Sequence, residues 1–248
     1  MSQLFYLDEK KMKKRLMKLK ASKRFKKLLE VSKDKKIETI EEAIKMVKKN
    51  CTTKFDESID VSFKLNLKQK KEEVSLRTLV NLPNGNAKKI KLAVLCEESK
   101  DQEAKEAGAD LSGADSLVND ITNGKINFDK LVVTPAMMPK MAKLGKILGP
   151  KGLMPNPKLG SVTNDLKQAV TNAKSGQVEI KNDKDGNIGL SLGKKSFSDD
   201  KLLKNFNAVF EVLEREKGNN TLKGDLIKSV FLTSTMGVSY KIKLTKNI

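Results

Sequence analysis

The hydrophobic pattern of the N-terminal part has a helical period as far as residue 50 and a strand period beyond it. Residues 8–31 predict a Lys-rich helix, and a solvated basic arm accounts for the same residues equally well. Residues 40–50 predict a second helix, because Thr39-Ile40-Glu41-Glu42 forms a capping box at its start. The chain therefore opens with helical segments, the first of which is strongly basic.

From residue 58 onwards apolar and polar residues alternate, which predicts a half-buried strand with one polar face. The apolar members of this strand are Ile59, Val61, Phe63, Leu65 and Leu67. A second alternating segment, from Val74 to Leu82, predicts its pairing partner, and Pro83-Asn84-Gly85 breaks the chain after it.

The middle of the chain, residues 86–176, has a different pattern. Short, nearly continuous apolar runs from Ile90 to Cys96 and at Leu131-Val132-Val133 predict strands covered on both faces. Helical patterns follow them at about residues 99–107, 115–122, 136–147 and 164–174. This alternation of strand and helix predicts a small open α/β sheet.

After Gly176 the antiparallel pattern returns. Val178 and Ile180 lead into the turn Asp185-Gly186-Asn187 and predict a hairpin. A helix at about 199–216 and a final hairpin at about 226–244 follow. The order predicts two domains, an antiparallel-sheet α+β domain (1–85 and 177–248, with 1–30 a basic extension) interrupted by an inserted Rossmann-like α/β domain (86–176).

The charge of the chain points to a polyanionic partner. The 50 Lys and Arg residues exceed the 31 acidic residues, which gives a net charge of +19. Residues 1–27 hold eleven basic residues with only Asp8 and Glu9, whereas residues 86–176 carry a net charge of only +4. Nucleic acid is the usual polyanion that balances such an excess, and an anionic membrane surface is the alternative. We expect no membrane segment, because no apolar run approaches the roughly 18 residues that a spanning helix needs.

The residue inventory argues against most enzyme chemistry. The chain has no histidine, so His-based triads, general bases and metal ligands are excluded. Cys51 and Cys96 are too few for a zinc site alone and do not form a CxxC pair, so a reducing compartment fits. Gly193-Lys194-Lys195-Ser196 only partly echoes a phosphate-binding loop, because the first glycine of that motif is missing. We therefore expect no catalytic residue, no cofactor, no metal and no small-molecule substrate.

One loop is fixed by three prolines and two glycines, and its sequence is Leu148-Gly149-Pro150-Lys151-Gly152-Leu153-Met154-Pro155-Asn156-Pro157. This segment closely resembles the signature of the ribosomal large-subunit protein number one family, which forms the mobile stalk beside the tRNA exit site. The resemblance continues in family order across residues 37–244, and the form is bacterial or organellar. The further matching segments are Thr53-Lys54-Phe55, Leu82-Pro83-Asn84-Gly85, Ala107-Gly108-Ala109-Asp110, Asn127-Phe128-Asp129, Asn172-Ala173-Lys174-Ser175-Gly176, Asn182-Asp183-Lys184 and Ser234-Thr235-Met236-Gly237.

The resemblance implies a structural constituent of the large subunit, acting as a monomer within the ribosome, and not an enzyme. Its partners would be the stalk element of large-subunit rRNA, the exit-site tRNA whose release it assists, and its own operon mRNA, which it would repress. The implied rRNA-binding residues are Lys54, Phe55, Ser58, Lys64, Ser229, Thr235, Met236 and Gly237. Secondary RNA contacts are assigned to Lys146, Lys151 and Lys158. Lysines supply phosphate contacts, hydroxyls bond to the 2′-OH of RNA, and glycine admits close approach of the RNA backbone.

Two of these residues have an alternative explanation. On burial preference alone Phe55 and Met236 are core residues. The sequence also departs from the family pattern in four places, at Lys70-Lys71-Glu72-Glu73-Val74, at Pro83-Asn84-Gly85, at Ile188-Gly189 and in a longer basic extension. These departures leave 54–64 and 229–237 intact and put details near 70–85 in doubt.

Two other functional classes stay open at the level of sequence. One is a free RNA-binding translational regulator outside the ribosome, and the other is an RNA-modifying enzyme that uses Lys, Asp or Cys. The family resemblance favours the ribosome in the cytoplasm, or in an organellar matrix or stroma if the gene is organellar.

Overall fold

The computed structural model of the protein describes residues 22–32, 39–66, 76–88, 90–219 and 226–243. The helices in these ranges are α1 (Lys23–Ser32), α2 (Ile40–Lys49), α3 (Asp101–Glu106), α4 (Asp115–Thr122), α5 (Met138–Lys143), α6 (Gly145–Leu148), α7 (Leu166–Lys174) and α8 (Asp199–Asn219). The strands are β1 (Ser58–Leu65), β2 (Arg77–Asn81), β3 (Leu92–Leu95), β4 (Leu111–Gly113), β5 (Lys130–Val133), β6 (Gln177–Lys181), β7 (Asn187–Lys194), β8 (Ile227–Ser234) and β9 (Tyr240–Ile242). Short 3-10 turns lie at Glu98–Lys100, Pro135–Met137 and Pro157–Leu159.

A four-stranded antiparallel sheet has the order β7-β1-β8-β9, with β1 inside it. The alternation predicted for β1 is confirmed, since its buried and less buried residues alternate along its length. The apolar side of the sheet packs against α2 and α8, and Phe63 stacks on Phe206 with ring centroids 6.0 Å apart. The capping box of α2 is also confirmed, because the Thr39 hydroxyl accepts a hydrogen bond from the Glu42 N–H. The predicted final hairpin is the pair β8 and β9.

Two predicted strand pairings were wrong. β2 pairs with β6 in a separate two-stranded sheet and not with β1, whose neighbours are β7 and β8. For the same reason β6 and β7 do not form the predicted hairpin, and the chain changes sheets at the turn around Gly186, whose φ is +74°. Alternation identifies a half-buried strand, but it contains no information about which strand lies beside it.

The middle section contains a three-stranded parallel sheet in the order β4-β3-β5. All four residues of β3 are buried, as the continuous apolar run predicted. One face of the sheet packs against a Met- and Leu-rich cluster from α4, α5 and α6, and the other packs against α7. The short strand β4 was not predicted, because its three residues are Leu111, Ser112 and Gly113 and only the first is apolar.

The predicted helix at 136–147 is divided into a 3-10 turn, α5 and α6. Pro139 lies in the first turn of α5, where proline fits a helix start, and the chain leaves the helical pattern at Leu144 before Gly145. The predicted N-terminal helix is confirmed only for Lys23–Ser32, and the rest of 8–31 lies outside the described residues, as does Leu67 of the first strand.

The two connections between the sheets meet at a pair of glycines. Gly85 and Gly176 have φ values of +63° and +98°, and a Cβ on Gly176 would lie 2.6 Å from the Gly85 Cα. The Lys130 ammonium donates to the Gln177 carbonyl at 2.5 Å beside this crossing. The largest apolar cluster contains residues from 40–82 and 180–242, and two further clusters contain residues from 92–173. This separation of cores supports the proposed division into two domains.

Candidate nucleic-acid interface

The side of the four-stranded sheet opposite α2 and α8 carries polar side chains. β1 places Asp60, Ser62 and Lys64 on this side, between its buried apolar residues. Ser229, Phe231 and Thr233 of β8 stand opposite them, since Lys64 pairs with Ser229, Ser62 with Phe231 and Asp60 with Thr233. Directly opposed residues of antiparallel strands project to the same face. The result is a partly exposed surface of hydroxyls, one lysine, one carboxylate and one aromatic ring.

At one end of this sheet face stand two large apolar side chains. The relative exposure of Phe55 is 53% and that of Met236 is 49%, so neither is a core residue. The alternative explanation from burial preference is therefore wrong for both. Exposed apolar side chains of this size, bordered by polar groups, are typical of interaction sites.

The two predicted pieces of the surface, 54–64 and 229–237, lie side by side. The Thr235 N–H donates to the Ser58 carbonyl at 3.0 Å, and the Ser58 N–H donates to the Thr235 hydroxyl oxygen at 3.0 Å. Thr235 is exposed, but its hydroxyl is not free, because it accepts the Ser58 N–H and so extends the pairing of β1 with β8 by one residue. We call Lys54, Phe55, Ser58, Lys64, Ser229, Thr235, Met236 and Gly237 the recognition face.

Lysines surround this surface, and the sequence revealed only some of them. The Lys64 ammonium donates to the Asp185 carbonyl at 2.9 Å, and Lys54 is exposed. Lys194 of β7 donates to the Ser58 hydroxyl at 2.9 Å and was not predicted. It belongs to the Gly193–Ser196 segment that was considered only as a phosphate loop. Lys194 pairs with Ser58 across the two strands, and this pairing could have identified it only if the position of β7 beside β1 had been known.

A buried carboxylate lies beneath the end of the sheet. Glu57 is fully buried and accepts hydrogen bonds from the Thr53 hydroxyl at 2.7 Å, the Thr53 N–H at 3.4 Å and the Met236 N–H at 3.1 Å. Burial by itself would raise the pKa of Glu57, but the adjacent Ser234 hydroxyl and these hydrogen bonds outweigh burial and hold the pKa below its usual value. The Ser234 hydroxyl contributes by proximity, since it makes no hydrogen bond of normal geometry with any described residue. Glu57 is therefore a carboxylate at neutral pH.

Arg24 of α1 reaches the same place from outside. Its guanidinium donates to the Met236 carbonyl at 2.7 Å and to the Thr52 hydroxyl at 3.1 Å. Sequence analysis predicted neither Arg24 nor Glu57 as a site residue. Both bond to Met236, which is far away from them in the chain, and no local motif predicts such a contact.

Gly237 has a structural role in the protein itself. The sequence predicts that it admits close approach of the RNA backbone, which stays a prediction, and its φ is not in the positive range. A Cβ at this position would lie 2.3 Å from the Ser234 hydroxyl oxygen. The turn therefore requires glycine because the protein itself occupies the space.

The three secondary lysines belong to the middle section and not to the recognition face. Lys146 lies in α6 and is exposed, and Lys151 is exposed in the proline-rich loop. Lys158 belongs to the 3-10 turn Pro157–Leu159, and its side chain lies outside the described part of the structure.

The comparison with known families decides the class of the protein. The family model described as "Ribosomal protein L1p/L10e family" matches residues 47–238, which include β1 through the turn after β8. The chain belongs to the ribosomal protein L1p/L10e family. This family consists of structural proteins without enzymatic activity, and its fold combines the antiparallel and parallel sheets seen here.

Curated relatives of the L1p/L10e family match most of the chain. A protein of Pelagibacter ubique (strain HTCC1062) named "Large ribosomal subunit protein uL1" is 66% identical over 227 residues, which is 92% of this chain and 99% of the relative. Proteins of the same name from Rickettsia akari (strain Hartford) and Rickettsia typhi (strain ATCC VR-144 / Wilmington) are 47% and 44% identical. The first of these two matches covers 82% of this chain and 84% of the relative, and the second covers 92% and 96%. The protein is thus of the bacterial type.

The described residues offer no metal site and no membrane-spanning helix. They contain no group of three or more Cys, Asp or Glu side chains arranged to hold a metal ion. None of the helices in the described ranges combines the length and apolar character that a membrane span requires.

Proposed function

We propose that the protein is a structural constituent of the large ribosomal subunit and binds folded large-subunit rRNA at the mobile stalk through the recognition face. The main support for the proposal is the pair of hydrogen bonds between Ser58 and Thr235, which brings two segments distant in the chain into one surface. This surface presents Phe55 and Met236 among hydroxyls and lysines. Apolar side chains can stack on splayed bases, and hydroxyls can bond to the 2′-OH groups that distinguish RNA from DNA. The relatives are named as a large ribosomal subunit protein, which supports the same partner.

The test is equilibrium binding of the full chain to a stalk rRNA fragment and to a random RNA duplex over a range of salt concentrations. Because the chain carries a net charge of +19, log K for both RNAs falls steeply with log salt. The recognition face leaves a preference for the stalk fragment at high salt. Equal affinity for the two RNAs at high salt would overturn the proposal.

Cosedimentation with large subunits at moderate salt separates this function from that of a free RNA-binding regulator. A ribosomal constituent stays with the subunit, whereas a regulator that acts outside the ribosome is recovered in the supernatant. The bacterial source of the relatives favours ribosomes of the cytoplasm over an organelle.

The recognition face belongs to the discontinuous domain of residues 1–85 and 177–248 in the proposed division. Removing 86–176 and joining the flanking strands β2 and β6, which already pair, keeps most of the rRNA affinity. A shortened protein that folds but has lost all rRNA binding would show that the division of labour is wrong.

The inserted domain serves a second RNA. Through Lys146, Lys151 and Lys158 it contacts exit-site tRNA and assists release of the deacylated form, and its net charge of +4 suits weak, reversible contact. Crosslinking of tRNA to these lysines in ribosomes tests the contact. The recognition face also binds the operon mRNA of this protein and represses its translation, which a cell-free translation assay with added protein tests directly.

A further inference from the structure

Charged side chains bond to both the backbone N–H and the backbone carbonyl of Met236 in the turn after β8. The Met236 N–H donates to a Glu57 carboxylate oxygen at 3.1 Å, and the Met236 carbonyl accepts from the Arg24 guanidinium at 2.7 Å. Glu57 is fully buried beneath the turn, whereas Arg24 reaches it from helix α1. The backbone on each side of Met236 is therefore fixed by an ionic group from another part of the chain.

The same two groups also hold the loop that carries Phe55. Glu57 accepts from the hydroxyl and N–H of Thr53, and Arg24 donates to the hydroxyl of Thr52 at 3.1 Å. The Phe55 carbonyl lies 3.2 Å from the Thr53 hydroxyl oxygen, whose single proton goes to the nearer Glu57 carboxylate oxygen at 2.7 Å. Each charged side chain thus connects the loop at 52–55 with the turn at 235–237.

We propose that Glu57 and Arg24 are positioning residues that fix the spacing of Phe55 and Met236 on the recognition face and thereby give the protein its preference for one folded RNA. This inference rests on the proposed rRNA-binding function. Shape-reading recognition depends on side chains held at fixed separations, because a flexible surface must be ordered at the moment of binding.

The negative charge of Glu57 shows whether this residue acts by positioning the recognition face or by contacting RNA directly. A carboxylate near the binding surface repels phosphates, so its charge alone weakens the binding of any RNA. Complete burial and three hydrogen bonds keep it in place, and the depressed pKa keeps it ionised. Its benefit to binding can therefore come only through the geometry of Thr53 and Met236.

The first experiment compares Glu57→Gln with the wild type in the full chain. The carboxamide keeps the shape but replaces one acceptor oxygen by a donor, so it cannot satisfy both Thr53 and Met236. Affinity for the stalk rRNA fragment falls by at least about ten-fold, while affinity for a random duplex stays equal or rises because a negative charge is lost. Amide exchange at the Met236 N–H becomes faster, which reports the geometry without any RNA. Glu214→Gln removes the same charge on exposed α8, so it changes the two affinities equally and slightly and leaves this exchange rate unchanged.

The second experiment is Arg24→Lys, which keeps the charge but removes the fork of donors that reaches both Met236 and Thr52. Affinity for the stalk fragment falls several-fold if Arg24 positions the turn, and stays at the wild-type value if Arg24 only attracts phosphate. Arg215→Lys, on the exposed side of α8, is the matched control.

The outcomes separate this inference from the function on which it rests. If the wild type has no preference for the stalk fragment, the proposed function fails, and the Met236 exchange rate in Glu57→Gln still decides the positioning role. If the wild type prefers the stalk fragment and both variants keep that preference in full, the positioning role is overturned. Should Glu57→Gln not fold, Arg24→Lys decides the question alone.

Discussion

The contact between Gly237 and Ser234 predicts a pair of substitutions that cancel each other. A Cβ on Gly237 would lie 2.3 Å from the Ser234 hydroxyl oxygen, 3.5 Å from the Ser234 Cβ and 3.7 Å from the Ser234 nitrogen. Ordinary carbon contacts are about 3.5–4.0 Å, so only the hydroxyl oxygen obstructs an alanine at this position. Ser234 is buried, and its hydroxyl has no hydrogen-bond partner of normal geometry within the described structure.

The expected magnitudes follow from this geometry. Gly237→Ala forces the buried Ser234 side chain out of its rotamer or displaces the turn, which costs about 1–3 kcal/mol of unfolding free energy. Ser234→Ala removes a hydroxyl that has no hydrogen bond of normal geometry but helps to hold the pKa of Glu57 down, so it costs about 1 kcal/mol. In the double variant the two Cβ atoms meet at an ordinary distance, so most of the loss returns and the coupling energy is about 1–2 kcal/mol.

Urea unfolding of the four proteins, followed by circular dichroism, measures the cycle. Gly145→Ala is the control for the chemical change, because a Cβ there meets nothing within 4 Å. A Gly237→Ala variant with the stability of the wild type would refute the steric explanation. The affinity of the same four proteins for the stalk fragment adds a second answer. If stability returns in the double variant while affinity stays low, Gly237 serves the approach of RNA as well as the turn.

Three further predictions concern the recognition face and the crossing between the sheets. Thr235→Val removes the hydroxyl that accepts from the Ser58 N–H. We expect it to weaken binding to the stalk fragment by roughly 1–3 kcal/mol, which is about five-fold to more than a hundred-fold in affinity. The control variant Thr235→Ser keeps most of the affinity, and Lys125→Ala changes it little. Gly176→Ala places a Cβ 2.6 Å from the Gly85 Cα at a φ of +98°, and we expect it to lower the unfolding free energy by about 1–3 kcal/mol. In the control Gly124→Ala the φ is also positive but the space is open, so the same urea titration shows a smaller loss of unfolding free energy. The pKa of Glu57 is depressed in the folded state, so its contribution to stability is present above its unfolded pKa of about 4.3 and is lost as the pH falls through the lower folded value. Acid titration of unfolding therefore has a shallower slope in Glu57→Gln, and an unchanged slope would contradict the burial and bonding of this carboxylate.

Most of the strands and helices and the final hairpin of β8 and β9 could be predicted from the sequence, but the pairings between strands distant in the chain could not. The alternation from Ile59 to Leu65 and the capping box at Thr39 identify β1 and α2 through local physics. The pairing of β2 with β6 joins residues about a hundred positions apart, and no periodicity encodes it. The incorrect hairpin at residues 178–192 has the same origin, since a turn sequence fixes a reversal of the chain without fixing which strands then pair.

The candidate site shows the same division between local and distant information. Lysines, hydroxyls and the family motifs pointed to residues 54–64 and 229–237, and the structure brings these segments together at Ser58 and Thr235. Arg24, Glu57 and Lys194 were missed because each of them bonds to at least one residue that lies 28 to 212 positions away. A buried glutamate in a basic protein has no local signature that separates it from the other acidic residues of the chain.

If the recognition face binds rRNA as proposed, the supporting groups explain how an antiparallel sheet can select one RNA among many. Surface lysines alone bind any polyanion, and their attraction is screened by salt. Selectivity needs contacts whose positions are set before the RNA arrives, and exposed loops are ordinarily the most mobile parts of a protein. Here the loop at 52–55 and the turn at 235–237 are held to each other, to β1 and to α1 by Glu57, Arg24 and Ser58. The ordering of the apolar pair Phe55 and Met236 is thus achieved during folding and does not have to be achieved during binding.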